Sequence, residues 1–249
     1  MKLTKRPLTI GAGLAAGLAP LAYPLFLRRR CLTWGARADE VAMKLPGDEL
    51  LPDAGLVTTR AITIDAPAGA IWPWLVQMGS GRGGAYTYDW IENLFGLNMH
   101  SADEILPEFQ DLKAGDELPL GPGRPVMRVE VLDPERTLAI RMADANWVWI
   151  FALLPEMDST RLISRNRIVT AGLPSAARPF YLVFMEPGSL VMERKMLLGI
   201  KTRAERLARD PAGRLALVSK QVRRMAMAPH PAWPCVPLVF HRGAVTRHG

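Results

Sequence analysis

Hydrophobic and polar positions change period along this chain, and the changes divide it into elements. Val57 to Ile64 (VTTRAITI) is β-branched and alternating, which predicts a strand. Asp65 and Pro67 supply a helix-start signal directly after it. Ile71, Trp74, Leu75 and Met78 then fall at i, i+3, i+4 and i+7, one face of a helix that Pro73 is expected to bend. Tyr86 to Leu94 predicts a second short helix with Thr87 as its N-cap, and Ser101 with Glu104 matches a capping box for a further helical start.

From Asp116 onward the period becomes two. Val129 and Val131 alternate with Arg128 and Glu130. Leu138, Ile140 and Met142 alternate with Ala139 and Arg141. Trp147, Trp149, Phe151 and Leu153 form one face of a third strand, and Leu162 to Val169 adds a fourth. The short connections LDPER and LPEMDST predict an antiparallel meander. The last regular element, about Pro187 to Arg209, is a long amphipathic helix whose stripe is Leu190, Leu197, Ile200, Ala204 and Leu207. This order predicts an α+β domain over residues 57–209, preceded by an irregular lead-in at 31–56.

The ends differ from this body. Residues 7–27 carry no charge for about 21 positions, enough for a helix to cross a hydrocarbon layer of roughly 30 Å. Lys2, Lys5 and Arg6 precede the run and Arg28, Arg29 and Arg30 follow it. A transmembrane anchor at 1–30 is the first reading, with a cleaved signal peptide as the alternative; three closing arginines suit the anchor better. Gly13 and Gly17 form a Gly-x-x-x-Gly pair, ordinary in such segments. The tail, 210–249, is basic and rich in proline; residues 214–227 are patterned as a basic amphipathic helix, against a disordered extension as the alternative.

Charge sharpens the division. The chain has net charge +7, yet all 24 acidic residues lie between Asp39 and Asp210, among only 18 of the 31 Lys and Arg residues. The basic excess therefore belongs to the ends, a pattern that suits an anionic membrane surface and disfavours nucleic acid as a partner. Two cysteines, Cys31 and Cys235, make no disulfide framework and fit a cytoplasmic domain. The expected location is thus a single-pass membrane protein with its domain in the cytoplasm and membrane lipids as partners; the oligomeric state is left open.

Candidate chemistry is sparse. Gly79 to Gly84 (GSGRGG) superficially matches a phosphate loop, but it follows a helix and lacks the lysine, so it is read as a tight connection. Ser101 is better explained as a cap than as a nucleophile. Tyr88, Asp89, Glu92 and His100 are the acid–base groups within one short span, although Asp89 and Glu92 at i, i+3 more often mark a solvated helix face. His230, Cys235, His241 and His248 lack the paired spacing of a zinc site, so no metal and no cofactor is expected.

The blocks ITIDAPAGAIWPWLVQMGSGRGGAYTYDWIENL and MEPGSLVMERKMLLGIK, in this order, resemble the START-like (SRPBCC) superfamily, and more narrowly its bacterial polyketide cyclase/dehydrase and lipid transport branch. The resemblance spans about Trp34 to Arg209. It implies the helix-grip fold, in which a bent antiparallel sheet wraps the last helix and leaves a ligand cavity between them. No catalytic set is shared across that superfamily, so none is carried over.

In such a fold the aromatics of the early helices and the third strand are candidates for the pocket wall, with core packing as the competing role for each. The ligand-binding candidates are Trp74, Met78, Tyr86, Tyr88, Trp90, His100, Trp147, Trp149, Met192 and Met196, with Trp72 and Met185 nearby. The function this predicts is membrane-tethered binding or transport of an apolar small molecule, a lipid or polyketide-like compound. The alternatives are a cyclase/dehydrase-type enzyme acting on a ketone-bearing substrate and an interaction module without ligand.

Overall fold

The computed structural model describes residues 27–171 and 180–210. Helices α1 (Arg28–Leu32) and α2 (Ala38–Ala42) lead to strand β1 (Leu56–Ile64), then α3 (Ala68–Val76) and α4 (Asp89–Leu94). Strands β2 (Glu117–Pro119), β3 (Val126–Asp133), β4 (Thr137–Met142), β5 (Trp147–Glu156) and β6 (Ser159–Ile168) follow, and a π-helical turn (Tyr181–Met185) runs into α5 (Glu186–Arg209). One six-stranded antiparallel sheet has the order β1-β6-β5-β4-β3-β2, so the meander returns to pair its last strand with the first. A curved antiparallel sheet with a long C-terminal helix against it is the helix-grip, α+β architecture.

Alternation along the strands sorts side chains onto two faces. Ile64, Leu138, Ile140, Phe151, Leu153 and Leu162 face inward and pack with α3 and with Met196, Leu197, Ile200 and Ala204 of α5. Ala61, Ala139, Val148, Ile150, Ala152 and Ile163 face outward and are covered by Leu45, Met43, Leu50 and Leu51 of the lead-in. The lead-in is also tied down by charge. Glu40 accepts from Arg161 at 2.7 Å, and Asp48 accepts from Arg165 at 2.7 Å and Arg167 at 3.3 Å. Those arginines occupy alternate outward positions of β6, so a strand that reads as half-solvated from its charges is covered on both faces.

Several local expectations are corrected. Tyr86 adopts a left-handed conformation with φ of 58°, which a helix cannot contain, so α4 starts at Asp89 and Thr87 is not its N-cap. No helix starts at Ser101. Its hydroxyl and backbone N–H instead donate to the two Asp89 carboxylate oxygens at 2.6 and 2.8 Å, clipping the loop to α4. A register shift between Val129 and Val131 breaks the alternation of β3, so Val129 joins the inner core while Val131 packs on the outer one. The short strand β2 is an addition to the predicted meander.

GSGRGG is a turn closed by pairing of Gly79 with Gly84, and Arg82 crosses it to donate to the Val76 carbonyl at 2.9 Å. Gly84 is required there, because a Cβ on it would stand 2.6 Å from the His100 carbonyl oxygen. The apolar run at 7–27, apart from Leu27, and the tail beyond Asp210 lie outside the described residues, as do the glycine pair at 13 and 17 and the histidines at 230, 241 and 248. Among the described residues no helix is long and apolar enough to cross a membrane.

Candidate functional site: a cavity between the sheet and the last helix

Between the inner sheet face, α4 and the first half of α5 lies a cavity of about 770 Å³. Its wall is largely apolar. Leu56 comes from β1, Met142 from β4, Trp147 and Trp149 from β5, Ile91 from α4, Phe95 from the C-cap of that helix, and Met192 and Met196 from α5. The volume lies within the range of about 300–1,000 Å³ usual for small-molecule sites. Space exists here because the sheet positions nearest α5 are shared between large aromatics and short polar side chains. Thr58 and Asn166 take inward positions that Ile62, Ile64 and Leu162 fill farther along the same strands.

Of the ten residues singled out from sequence, the structure brings Trp147, Trp149, Met192 and Met196 into the cavity wall. The two indoles stack at 5.5 Å, and Phe151 continues the row at 4.8 Å from Trp149. Trp74, Met78 and Tyr86 are instead core residues behind it. Trp74 and Tyr86 meet edge to face at 6.0 Å, and the Tyr86 hydroxyl donates to the Trp74 carbonyl at 2.9 Å. Burial pushes the Tyr86 phenol far above its ordinary pKa, against smaller opposing effects of Gln77, Arg203 and Arg82. Tyr88 is half-buried beneath the Lys195 ammonium, while Trp90 and His100 are exposed, and none of these three lines the cavity.

The cavity also has a polar stripe that the sequence reading missed. Arg60 of β1 is wholly buried, donating to the Cys31 carbonyl at 3.1 Å, to Ser189 Oγ at 3.0 Å and to Glu193 Oε2. Asn166 Nδ2 donates to the same Oε2 at 3.2 Å, and Asn166 Oδ1 accepts from the Trp147 indole at 2.8 Å. Trp149 donates its indole N–H to Ser164 Oγ at 2.8 Å. A signal for this network was present in the sequence: Arg60 shares its strand face with Ile62 and Ile64, and an arginine on a core face requires a buried acid. Its partner is 133 residues away and has no local signature.

Burial pushes the Glu193 carboxyl up, while the Arg60 charge and the Ser164 hydroxyl pull against it. Glu92, on the α4 side, is likewise raised by burial, opposed by Thr87 and reinforced by Asp89. Of the acid–base groups Tyr88, Asp89, Glu92 and His100, only Glu92 lines the cavity. Among the described residues no group of three or more His, Cys, Asp or Glu side chains is placed to hold a metal ion.

No family model matches the chain, and no curated protein is similar enough to match. Solved structures of similar form include the polyketide-cyclase-like protein Cgl2372 of Corynebacterium glutamicum, 16% identical, covering 73% of this chain and 99% of that one with a TM-score of 0.31. KanY is 15% identical over 60% of this chain and 97% of its own, with a TM-score of 0.39. Protein NE0264 of Nitrosomonas europaea is 12% identical over 65% and 99%, also at 0.39. At these identities and TM-scores the likeness carries no argument about function, and the helix-grip assignment stands on the strand order and on α5.

Proposed function

We propose that the protein binds a small, mainly apolar molecule in this cavity, and that it does so tethered to a membrane through residues 7–27. The observation that carries the first part is the cavity itself, about 770 Å³ walled by tryptophan, methionine and aliphatic side chains. Native mass spectrometry of the full chain after gentle extraction should find a co-purifying small molecule, or uptake of an added fatty probe. A chain that stays empty under both conditions overturns the reading.

The tether draws support from the cavity mouth. Phe95 and Met185 line the cavity yet are 63% and 49% exposed, which marks where it opens. Trp90 and Leu94 on α4, which Phe95 caps, and Phe180 stacked on Phe184 beside Met185, are exposed as well. Arg28, the residue after the uncharged run, is paired at 2.9 Å with Glu186, which follows Met185 in sequence and also lines the cavity. Leu27 and Arg28, at the end of the run, thus lie on the side of the opening, and an anchor formed by the preceding residues would hold that opening near lipid. An enzyme of the cyclase/dehydrase type is less supported, because Tyr88, Asp89 and His100 do not reach the cavity wall.

A further inference from the structure

Charge is distributed unevenly around the cavity. Among the described residues, the carboxylates of Glu92, Glu186 and Glu193 line it together with the guanidinium groups of Arg60 and Arg124. Deep in the wall Arg60 is committed to Glu193, and Glu186 is held by Arg28. Glu92 is 9% exposed and hydrogen-bonds the Thr87 hydroxyl. Arg124 differs from these. It sits in the turn GPGRP at 121–125, where Gly123 takes a left-handed φ of 66° and the Arg124 backbone N–H closes the turn on the Gly121 carbonyl at 3.1 Å. Its guanidinium donates from Nη2 to the Phe95 carbonyl at 2.8 Å and has no carboxylate partner among the described residues. Phe95 marks the opening. Arg124 is therefore an exposed cation at the mouth of an apolar cavity, with most of its N–H groups available to a ligand.

From this placement, and resting on the reading of the cavity as an apolar ligand site, we propose that the ligand is an amphiphile with a single negative charge at one end, a carboxylate, which Arg124 holds at the mouth while the hydrocarbon body fills the cavity. The direction follows from where a negative charge can be placed. A carboxylate carried inward leaves water and approaches the Glu193 and Glu92 side chains. The cation it meets there, Arg60, already has Glu193, Ser189 Oγ and the Cys31 carbonyl as acceptors. At the mouth the head keeps part of its hydration and gains a guanidinium whose planar donors match a carboxylate. The body then passes Phe95 and Met185 and lies along Met192, Trp147 and Trp149, whose indole N–H groups are already bonded to Asn166 and Ser164. One available cation also sets the charge of the head, since a doubly charged group would leave one charge uncompensated beside Glu92.

The test compares decanoate with decan-1-ol, which share an alkyl chain and differ at the head, at about pH 7.5 where the carboxylate is ionised. Each displaces the neutral fluorophore N-phenyl-1-naphthylamine from the full chain held in a non-ionic amphipol, after subtraction of a protein-free blank. Partition of each compound into the amphipol is common to the proteins compared, so it cancels when the ratio of the two affinities is set against that of a variant. In Arg124→Gln the affinity for decanoate relative to decan-1-ol is expected to fall roughly fivefold, between the effect of a solvated ion pair and that of a charged hydrogen bond shielded from water. In the unaltered protein the same ratio should fall about threefold between roughly 0.02 M and 0.5 M salt. A ratio unchanged in a folded Arg124→Gln, a ratio indifferent to salt, or decanoate that does not bind where decan-1-ol does, overturns the proposal while leaving the cavity reading intact. Failure of fluorophore, decanoate and decan-1-ol alike to bind overturns both. Because the salt series needs no substitution, the test stands even if the variant does not fold.

Discussion

Gly199 of α5 packs directly against Tyr86: a Cβ built on the glycine would stand 2.6 Å from the Tyr86 carbonyl oxygen and 2.9 Å from the Tyr86 Cβ. The helix that closes the cavity therefore docks on the left-handed residue that precedes α4. Close approach of two backbones is the reason for glycine at a position where helix propensity alone favours alanine. Gly199→Ala gains about 1 kcal/mol of propensity but overpacks the contact by about 1–3 kcal/mol. We expect a net loss of stability and a lower midpoint in thermal unfolding. An unchanged or higher midpoint contradicts the contact.

Occlusion of the cavity should separate binding from folding. Met192 lies half-buried on α5 and lines the cavity, so Met192→Trp directs a larger side chain into free space rather than into the packed core. Fluorophore binding is expected to fall by about tenfold or more, with circular dichroism and the unfolding midpoint close to those of the parent. Unaltered binding in a folded variant would place the ligand elsewhere.

The lead-in contributes a pH-dependent term. Burial raises the Glu40 carboxyl, but the Arg161 hydrogen bond, the Arg37 backbone N–H and the two arginine charges outweigh it, so its pKa is held below the ordinary carboxylate value. The folded state then binds fewer protons than the unfolded chain. This contribution is complete above the unfolded carboxylate pKa of about 4.3 and is lost as pH falls through the lower folded value. Urea unfolding of the parent should weaken across that acidic window, and Glu40→Gln should flatten this part of the profile. Glu40→Ala, which leaves Arg161 buried without its acid, should cost about 3–5 kcal/mol at neutral pH.

Exposed aromatics at the opening should matter for lipid contact and little for folding. Phe95→Glu and Phe184→Glu each place a charge where a 63% exposed ring now stands. With vesicles containing phosphatidylserine, delivery of bound fluorophore to the bilayer is expected to slow several-fold, with the unfolding midpoint unchanged to within about 0.5 kcal/mol equivalents. Transfer at the parental rate would remove the opening from the membrane reading.

How much of this was legible depended on the range of the interaction. Trp147, Trp149, Phe151 and Leu153 share a face because strand alternation is local, and the structure keeps them on one inner surface. The stripe of α5 was likewise readable, since 3.6-residue periodicity is a property of consecutive residues. Tyr86, Tyr88 and Trp90 were misdirected because a positive φ at a non-glycine residue leaves no mark in a pattern of apolar positions. Val131 was assigned to the wrong face for a related reason: one bulge inverts the alternation after it.

By itself the sequence determined the antiparallel meander and the long closing helix, because each follows from local periodicity and turn chemistry. Only the tertiary structure decided what the cavity presents to a ligand. Thr58, Arg60, Asn166 and Glu193 come from two sheet strands and a helix far apart in the chain, and each alone reads as an ordinary polar residue. Packing removes them from water together, and the resulting desolvation ties Arg60 to Glu193 and Asn166 to the same carboxylate oxygen.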